Sequence, residues 1–195
     1  MALTKFQLCS RALVALDREA VSSFSDSSKE AELAAVMYEG VYKSELSNYT
    51  WNFNTTQVEL SREVSTPGDV NWSYQYTMPS DWLRTLNVTA PVDGADIDYV
   101  ERAGKVYSNE TRALMLYQAE IVEANLPPYF QDSFIARLKG EFAEALVGEG
   151  AVIERAWAEY DRKLKIAKRI DAQSNPPVQF ITAANSTWVR ARQGW

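Results

Sequence analysis

Leu46-Ser47-Asn48-Tyr49-Thr50-Trp51-Asn52-Phe53-Asn54 is the stretch at which the chain changes its periodicity. Before it, apolar residues recur every three or four positions, the period of a helix covered on one face. After it, as far as residue 118, the chain is short runs of β-branched and aromatic residues broken by Pro and Gly, the pattern of strands and turns. Working outward from this point predicts helices, then strands, then helices again.

Upstream, Thr4 with Gln7 reads as a capping box, and Phe6, Cys9, Leu13 and Leu16 follow at helical spacing, which predicts a helix over 4–17. Residues 22–28 are a Ser-rich loop with Asp26. Ser27-Ser28-Lys29-Glu30 reads as a second capping box, followed by Leu33, Val36, Met37 and Val41 on one face of a helix over 28–48. Downstream, the candidate strands are 55–63, 73–78, 84–89, 96–101, 105–108 and 112–118, with turns at Pro67-Gly68-Asp69, Asp93-Gly94 and Gly104. Pro79-Ser80-Asp81-Trp82 reads as a tight turn or a short helical turn. Pro79 holds Met78 extended, Asp81 is placed to bond nearby backbone amides, and Trp82 is placed to pack inward.

Leu126-Pro127-Pro128 closes the strand region. Phe134, Ile135, Leu138, Phe142 and Leu146 then mark a helix over 129–147, and Gly148 and Gly150 flank a bend. Ile153, Trp157, Tyr160, Leu164 and Ala167 mark a further helix over 151–173, with mixed charge on its outer face. These stripes read as a helical core. Pro176-Pro177 ends the pattern. The following residues hold Phe180, Ile181, Trp188, Arg190, Arg192 and Trp195 and no Asp or Glu, so an acidic chain carries a basic, aromatic arm. Frayed termini are seldom aromatic, and the arm reads as a docking element rather than a loose end.

The expected fold is α+β. A four-helix bundle-like core takes residues 1–52 and 126–173, a small antiparallel β-rich domain is inserted at 53–125, and an extended C-terminal docking arm occupies 174–195. The 195 residues suffice for a sizeable core, and 46% hydrophobic with 24% charged residues is a globular balance. The 12% aromatic content suits either an aromatic-rich core or protein–protein interfaces. The start Met1-Ala2-Leu3-Thr4-Lys5-Phe6 runs straight into the first helical pattern and lacks the signature of a signal peptide. No window has the apolar length of a membrane span, so a soluble protein made in a cytoplasm is expected.

Composition also limits the chemistry. The chain has no His and one Cys, which excludes Ser–His–Asp and Cys–His catalysis, His-type zinc sites and an internal disulfide. Cys9 falls on the apolar face of its helix and reads as a small core residue. There is no Gly-rich phosphate loop and no calcium-loop pattern. Two carboxylate groups, Asp93/Asp96/Asp98 and Glu141/Glu144/Glu149, lie on a turn and on a charged helix face, where solvated surface is the simpler reading than paired-carboxylate chemistry. No catalytic residue, cofactor or metal is expected, and an enzyme is the least favoured class.

The order of segments carries a resemblance. A helical pair leads into Leu46–Phe53, with Trp51 and Phe53. An aromatic strand then ends in Tyr74-Gln75-Tyr76-Thr77-Met78-Pro79-Ser80-Asp81-Trp82-Leu83-Arg84. Later, Leu116-Tyr117 precedes Pro128-Tyr129-Phe130 and a long helical pair. Over roughly residues 4–173 this layout resembles the tail tubular protein A family of phage head-to-tail adaptors. The resemblance rests on short motifs in a fixed order, and Trp51, Phe53, Tyr76, Pro79, Asp81 and Trp82 are its structural residues. It implies a ring of about twelve copies docked beneath a portal protein and receiving a tail tube, nozzle or next connector below. The genome would leave through its channel. Such a subunit would sit in the virion and in host cytoplasm during assembly. Phe180, Ile181, Trp188, Arg190, Arg192 and Trp195 would form the portal-binding arm. The rival reading is a non-enzymatic binding module or assembly chaperone with an aromatic groove.

The net charge of −6 bears on DNA directly. An acidic chain releases few counterions from phosphates, so DNA should slide past it instead of binding. Duplex DNA is expected to show negligible affinity at physiological salt in a fluorescence anisotropy titration. Micromolar or tighter binding that weakens steeply with salt would contradict a non-adhesive channel.

Overall fold

The computed structural model describes residues 3–65, 67–92 and 94–174. The six arm residues from Phe180 to Trp195, and Asp93, lie outside the described residues. The chain is mixed α and β, with four α-helices and antiparallel sheets among the described residues. Among the described residues no helix is long and apolar enough to cross a membrane.

Helix α1 covers Lys5–Val14. Its capping box forms as expected: Thr4 Oγ1 accepts from Gln7 N at 3.3 Å, and Gln7 Oε1 accepts from Thr4 N at 3.0 Å. It stops three residues before the expected end because Asp17 turns left-handed at φ 56°. Asp17 N then bonds Val14 O at 3.1 Å and Arg18 N bonds Leu13 O at 3.1 Å, which satisfies the last carbonyls of the helix. Helix α2 covers Lys29–Ser47. Ser28 caps it through Ala31 N, and alanine at that position leaves the expected box without its reciprocal side chain. Its buried face overlaps the predicted stripe only in part. Ala31, Ala34, Tyr38, Tyr42 and Leu46 are buried, Leu33 and Val41 pack partly buried against the core, and Val36 is 82% exposed.

Helix α3 covers Pro128–Phe142 and opens with proline in its first turn, where no donor is missed. A π-helical turn over Ala143–Val147 follows and closes on Gly148, whose φ of 69° favours glycine. Helix α4 covers Gly150–Ser174. One core joins all four helices: Leu8, Cys9 and Leu13 of α1, Tyr38, Tyr42 and Leu46 of α2, Phe130, Phe134, Leu138 and Phe142 of α3, and Ala167 of α4.

The strands are β1 Thr55–Glu59, β2 Ser61–Arg62, β3 Tyr74–Thr77, β4 Trp82–Thr89, β5 Tyr99–Arg102, β6 Lys105–Ser108 and β7 Leu114–Ala119. They form one sheet in the order β1-β7-β4 and another in the order β2-β3-β6-β5, antiparallel throughout. Only Leu60 separates β1 from β2, so one bent strand serves both sheets. On the other side, Thr89 bridges Asp96 and Ile97 N bonds Val88 O at 3.3 Å, carrying β4 of the first sheet into the approach to β5 of the second. The two sheets thereby wrap a single second core of Leu60, Tyr76, Val88, Val106, Met115 and Tyr117. Ala103 (φ 50°) and Gly104 (φ 73°) form the two-residue turn between β5 and β6, both left-handed as a type I′ turn requires.

One edge stays open. β1 pairs only with β7, in unbroken register from Thr55↔Gln118 to Glu59↔Leu114, and Thr56, Gln57, Val58 and Glu59 are exposed. β3 stops at Thr77, and Pro79 beyond it has no N–H to donate, so among the described residues no strand pairs with the other side of β1.

Helices α3 and α4 approach closely at Gly140. A Cβ there would lie 3.0–3.2 Å from three atoms of the Trp157 indole, which Arg137 covers at 4.7 Å. Gly140→Val forces the indole out of this stack, and overpacking of this kind costs about 1–3 kcal/mol. Urea unfolding of the variant should show a lower midpoint with an unchanged slope.

Candidate functional site

The structural motif residues divide between the two cores. Trp51 is fully buried, donates from Nε1 to Glu45 O at 3.1 Å, and meets Tyr49, Phe53 and Phe130 edge-on or tilted. Phe53 packs edge-on against Tyr129 and Phe130 of α3. Trp51 and Phe53 therefore belong to the helical core, although they head the strand region in sequence. Tyr76 lies in the core of the sheets and its hydroxyl donates to Glu110 O.

Pro79 O accepts from Trp82 N at 3.2 Å, which makes the tight turn expected between β3 and β4. Asp81 behaves differently from expectation. Its carboxylate accepts not from backbone amides but from Tyr117 Oη at 3.1 Å, and its carbonyl accepts from Glu120 N at 2.6 Å. Burial, with Asp81 beside it, pushes the Tyr117 hydroxyl up to about 12. Trp82 is half-buried against the sheet core, and its Nε1 donates to Thr85 Oγ1 at 2.9 Å. The turn is a corner held by side chains of β4 and β7.

Between the two cores lies a polar junction that sequence reading did not find. Asp171 of α4 is fully buried. Its carboxylate accepts from Asn52 N and from Tyr129 Oη, each at 2.8 Å, and its carbonyl accepts from Asn52 Nδ2 at 2.8 Å. Gln118 of β7 is fully buried and donates to Leu46 O at 3.2 Å, to Asn54 Oδ1 at 3.3 Å and to Tyr49 O. Asn54 donates in turn to Leu46 O and Ala119 O. Arg84 of β4 reaches Ser47 O at 3.0 Å and Thr50 Oγ1 at 3.3 Å. The end of α2, the first turn after it, β7 and α4 are thus tied at one place. The sequence signal was faint: two Asn and a Gln beside aromatic residues at a change of period.

Glu45 of α2 is the second buried carboxylate, 2% exposed. Its Oε2 accepts from Tyr160 Oη at 2.8 Å and from Asn48 Nδ2 at 3.4 Å, while Oε1 has no partner. Burial raises its pKa above the usual carboxylate range, against the pull of Tyr160, Arg137 and Lys168. Burial also pushes the Cys9 thiol up to about 12, so it remains an unreactive core thiol near neutrality.

The carboxylate groups singled out from sequence lie at the surface. Asp96 and Asp98 are exposed. Glu141 pairs with Arg137 at 2.7 Å, Glu144 accepts from Trp157 Nε1 at 2.7 Å, and Glu149 is exposed. Among the described residues no group of three or more His, Cys, Asp or Glu side chains could hold a metal ion. An acidic cleft of about 430 Å³ opens between α2 and the segment after β7, lined by Lys5, Glu39, Asp81, Glu120 and Glu123 with Ile121 and Val122. Glu120 pairs with Lys43 at 3.0 Å and Glu123 accepts from Tyr38 Oη at 3.1 Å, so both are committed to the fold. No protein-family model matches the chain, and no curated protein matches it.

Glu45 gives a test with a definite sign. A carboxyl whose pKa is higher in the fold than in the unfolded chain favours folding most when protonated. That contribution is complete below about pH 4.3, the unfolded value, and is lost as pH rises through the higher folded value. Glu45→Gln keeps an acceptor for Tyr160 and removes the charge. It should flatten the decline of stability toward neutral pH and raise stability at pH 8 by about 1 kcal/mol or more. Guanidinium unfolding across pH reads both.

Proposed function

We propose that this chain is the subunit of a phage head-to-tail connector. It would form a ring, dodecameric by the resemblance of its segment order, that sits between the portal and a tail tube, nozzle or next connector and lines the path of the genome. The observation that carries the reading is the split helical core. Two helices before the strands and two after them share one core around Trp51, Phe53 and Phe130, with the strand region inserted between, which is the order on which the resemblance rests. In this reading the helices are a bundle-like scaffold, the strands an inserted domain, and the C-terminal arm the axial contact.

Charge distribution supports it. All 26 acidic residues precede residue 172, while residues 175–195 carry Arg190 and Arg192 and no acid. The acidic body suits passage of DNA without binding. The arm's Trp188 and Trp195 are anchors of the size that dominates interface energies, its arginines are suited to bidentate contact with carboxylates, and Phe180 and Ile181 add apolar contact at its root. The subunit works as a scaffold and contact surface, not as an enzyme, and lies in the virion once assembled.

Electron microscopy of the purified chain with and without a phage portal tests the role. The expected result is a monomer or weak associate alone by light scattering, and a ring on the portal, since moderately charged lateral faces need a template. The triple variant Trp188→Ala/Arg190→Ala/Arg192→Ala should keep the melting temperature and lose portal attachment. A tight dimer that survives dilution and never forms rings with portal would favour the assembly chaperone instead.

A further inference from the structure

Two exposed helix faces carry opposite charge in the same pattern. Arg162, Lys163, Lys165, Lys168 and Arg169 crowd into one stretch of α4, in a chain of net charge −6. Lys163 is taken by Glu159 at 3.1 Å, and Lys168 lies over the Tyr49 ring at 4.9 Å. Arg162, Lys165 and Arg169 are exposed and make no ion pair among the described residues. Among these cations stand Ile166, 51% exposed, and Ile170, 38% exposed. A groove of about 240 Å³ runs between α3 and α4 at this stripe, lined by Tyr129, Asp132, Arg162, Lys163, Ile166 and Ile170. Exposed isoleucines at a groove with a charged rim are the form of a helix-docking surface.

The outer face of α2 is its complement. Glu32 and Glu39 are exposed and make no ion pair among the described residues. Val36 stands between them, 82% exposed. Ala35 and Gly40 flank it, both exposed, and a Cβ on Gly40 would meet nothing within 4 Å, so another helix has room to approach closely. The spacings match. Glu32, Val36 and Glu39 are separated by four and three residues, as are Arg162, Ile166 and Arg169. Each pair of charges therefore spans two helical turns, about 10.5 Å. With Val36 seated at the groove beside Ile166, both glutamates meet an arginine. Within one chain the two faces cannot meet, because each points away from the core that buries Tyr38 and Tyr42 of α2 and Ala167 of α4.

We propose that the outer face of α2 docks head to tail on the outer face of α4 of a second copy of this chain. As the lateral contact of a ring it rests on the connector reading; the contact itself needs no portal. Two unlike faces on every copy build rings or open chains rather than closed pairs. Exposed charge pairs around few apolar side chains make a weak, salt-sensitive contact, which holds firmly only where a template sets the copies side by side.

Disulfide trapping on the full chain captures such a contact. Cys9 is buried and takes no part. Under mild oxidation at low salt, Val36→Cys/Ile166→Cys should give a ladder of cross-linked products that extends beyond the dimer. Either cysteine alone should give none. Adding Glu32→Arg/Glu39→Arg should slow the ladder about tenfold or more, by setting like charges face to face. Further reversal of the other face, Arg162→Glu/Arg169→Glu, should restore it. All four charged side chains are exposed, so each variant should keep the melting temperature of its parent. No ladder, a ladder indifferent to charge reversal, or products that stop at the dimer would overturn the proposal. So would rapid cross-linking of Ile166→Cys alone, which would set α4 against α4, or a ladder abolished by duplex DNA, which would assign the basic stripe to nucleic acid. A ladder from a chain that forms no ring on a portal would refute the connector reading and leave this contact standing.

Discussion

The hydrogen bond from Asn52 N to the buried Asp171 carboxylate is the constraint on which the rest depends. It joins residues 119 apart in sequence and fixes where the strand region begins relative to the last helix. A buried carboxylate is costly unless its lone pairs are taken. Here Asn52 and Tyr129 take them, and Asn52 returns a second bond to the Asp171 carbonyl. The carboxylate therefore specifies one arrangement of three segments, since any shift leaves a buried charge unpaired. Gln118 does the same from the sheet side, holding β7 to the carbonyls at the end of α2. The two apolar cores supply burial energy, and this polar layer determines how they are set against each other.

Much of the secondary structure was legible because it is locally encoded. The Thr4–Gln7 box, Pro128 in a first turn, Gly148 at a helix end and the Pro79 corner each need only neighbours within a few residues. The buried face of α2 was not legible in the same way. A stripe drawn from Leu33, Val36, Met37 and Val41 follows side-chain hydrophobicity. The fold centres the face on Tyr38 and Tyr42, whose hydroxyls donate to Glu123 and to the Ile121 carbonyl, and leaves Leu33 and Val41 at its margin. Those acceptors are 85 and 79 residues away, so the pattern within the helix carried no sign of them. The polar junction escaped notice for the same reason. Asn, Gln and Asp beside a change of period look like a solvated loop until their partners arrive from distant segments. Asp81 was recognised as part of a corner, but its partner, Tyr117, is 36 residues away.

The arrangement bears on what kind of work the molecule can do. Its buried ionisable groups are tied into the fold: Asp171 and Glu45 face Asn52, Tyr129 and Tyr160, and Cys9 is held as a thiol in the helical core. Groups so placed are poor candidates for proton transfer to a substrate, which requires access as well as a tuned pKa. The exposed carboxylates are accessible, but those that have partners are paired at the surface. The junction holds the end of α2, the approach to β1, β7 and α4 in one arrangement.

A strand with an unprotected edge is a hazard to any protein, because every copy offers the same edge to every other. Unbroken register, and the pairing of Glu59 with Arg112, leave β1 of this kind, while the chain's polar ties are concentrated at the start of that strand, beside Asn52 and Asn54. The Asp171 bond that aligns the two cores therefore also fixes where that edge begins relative to the last turn of α4.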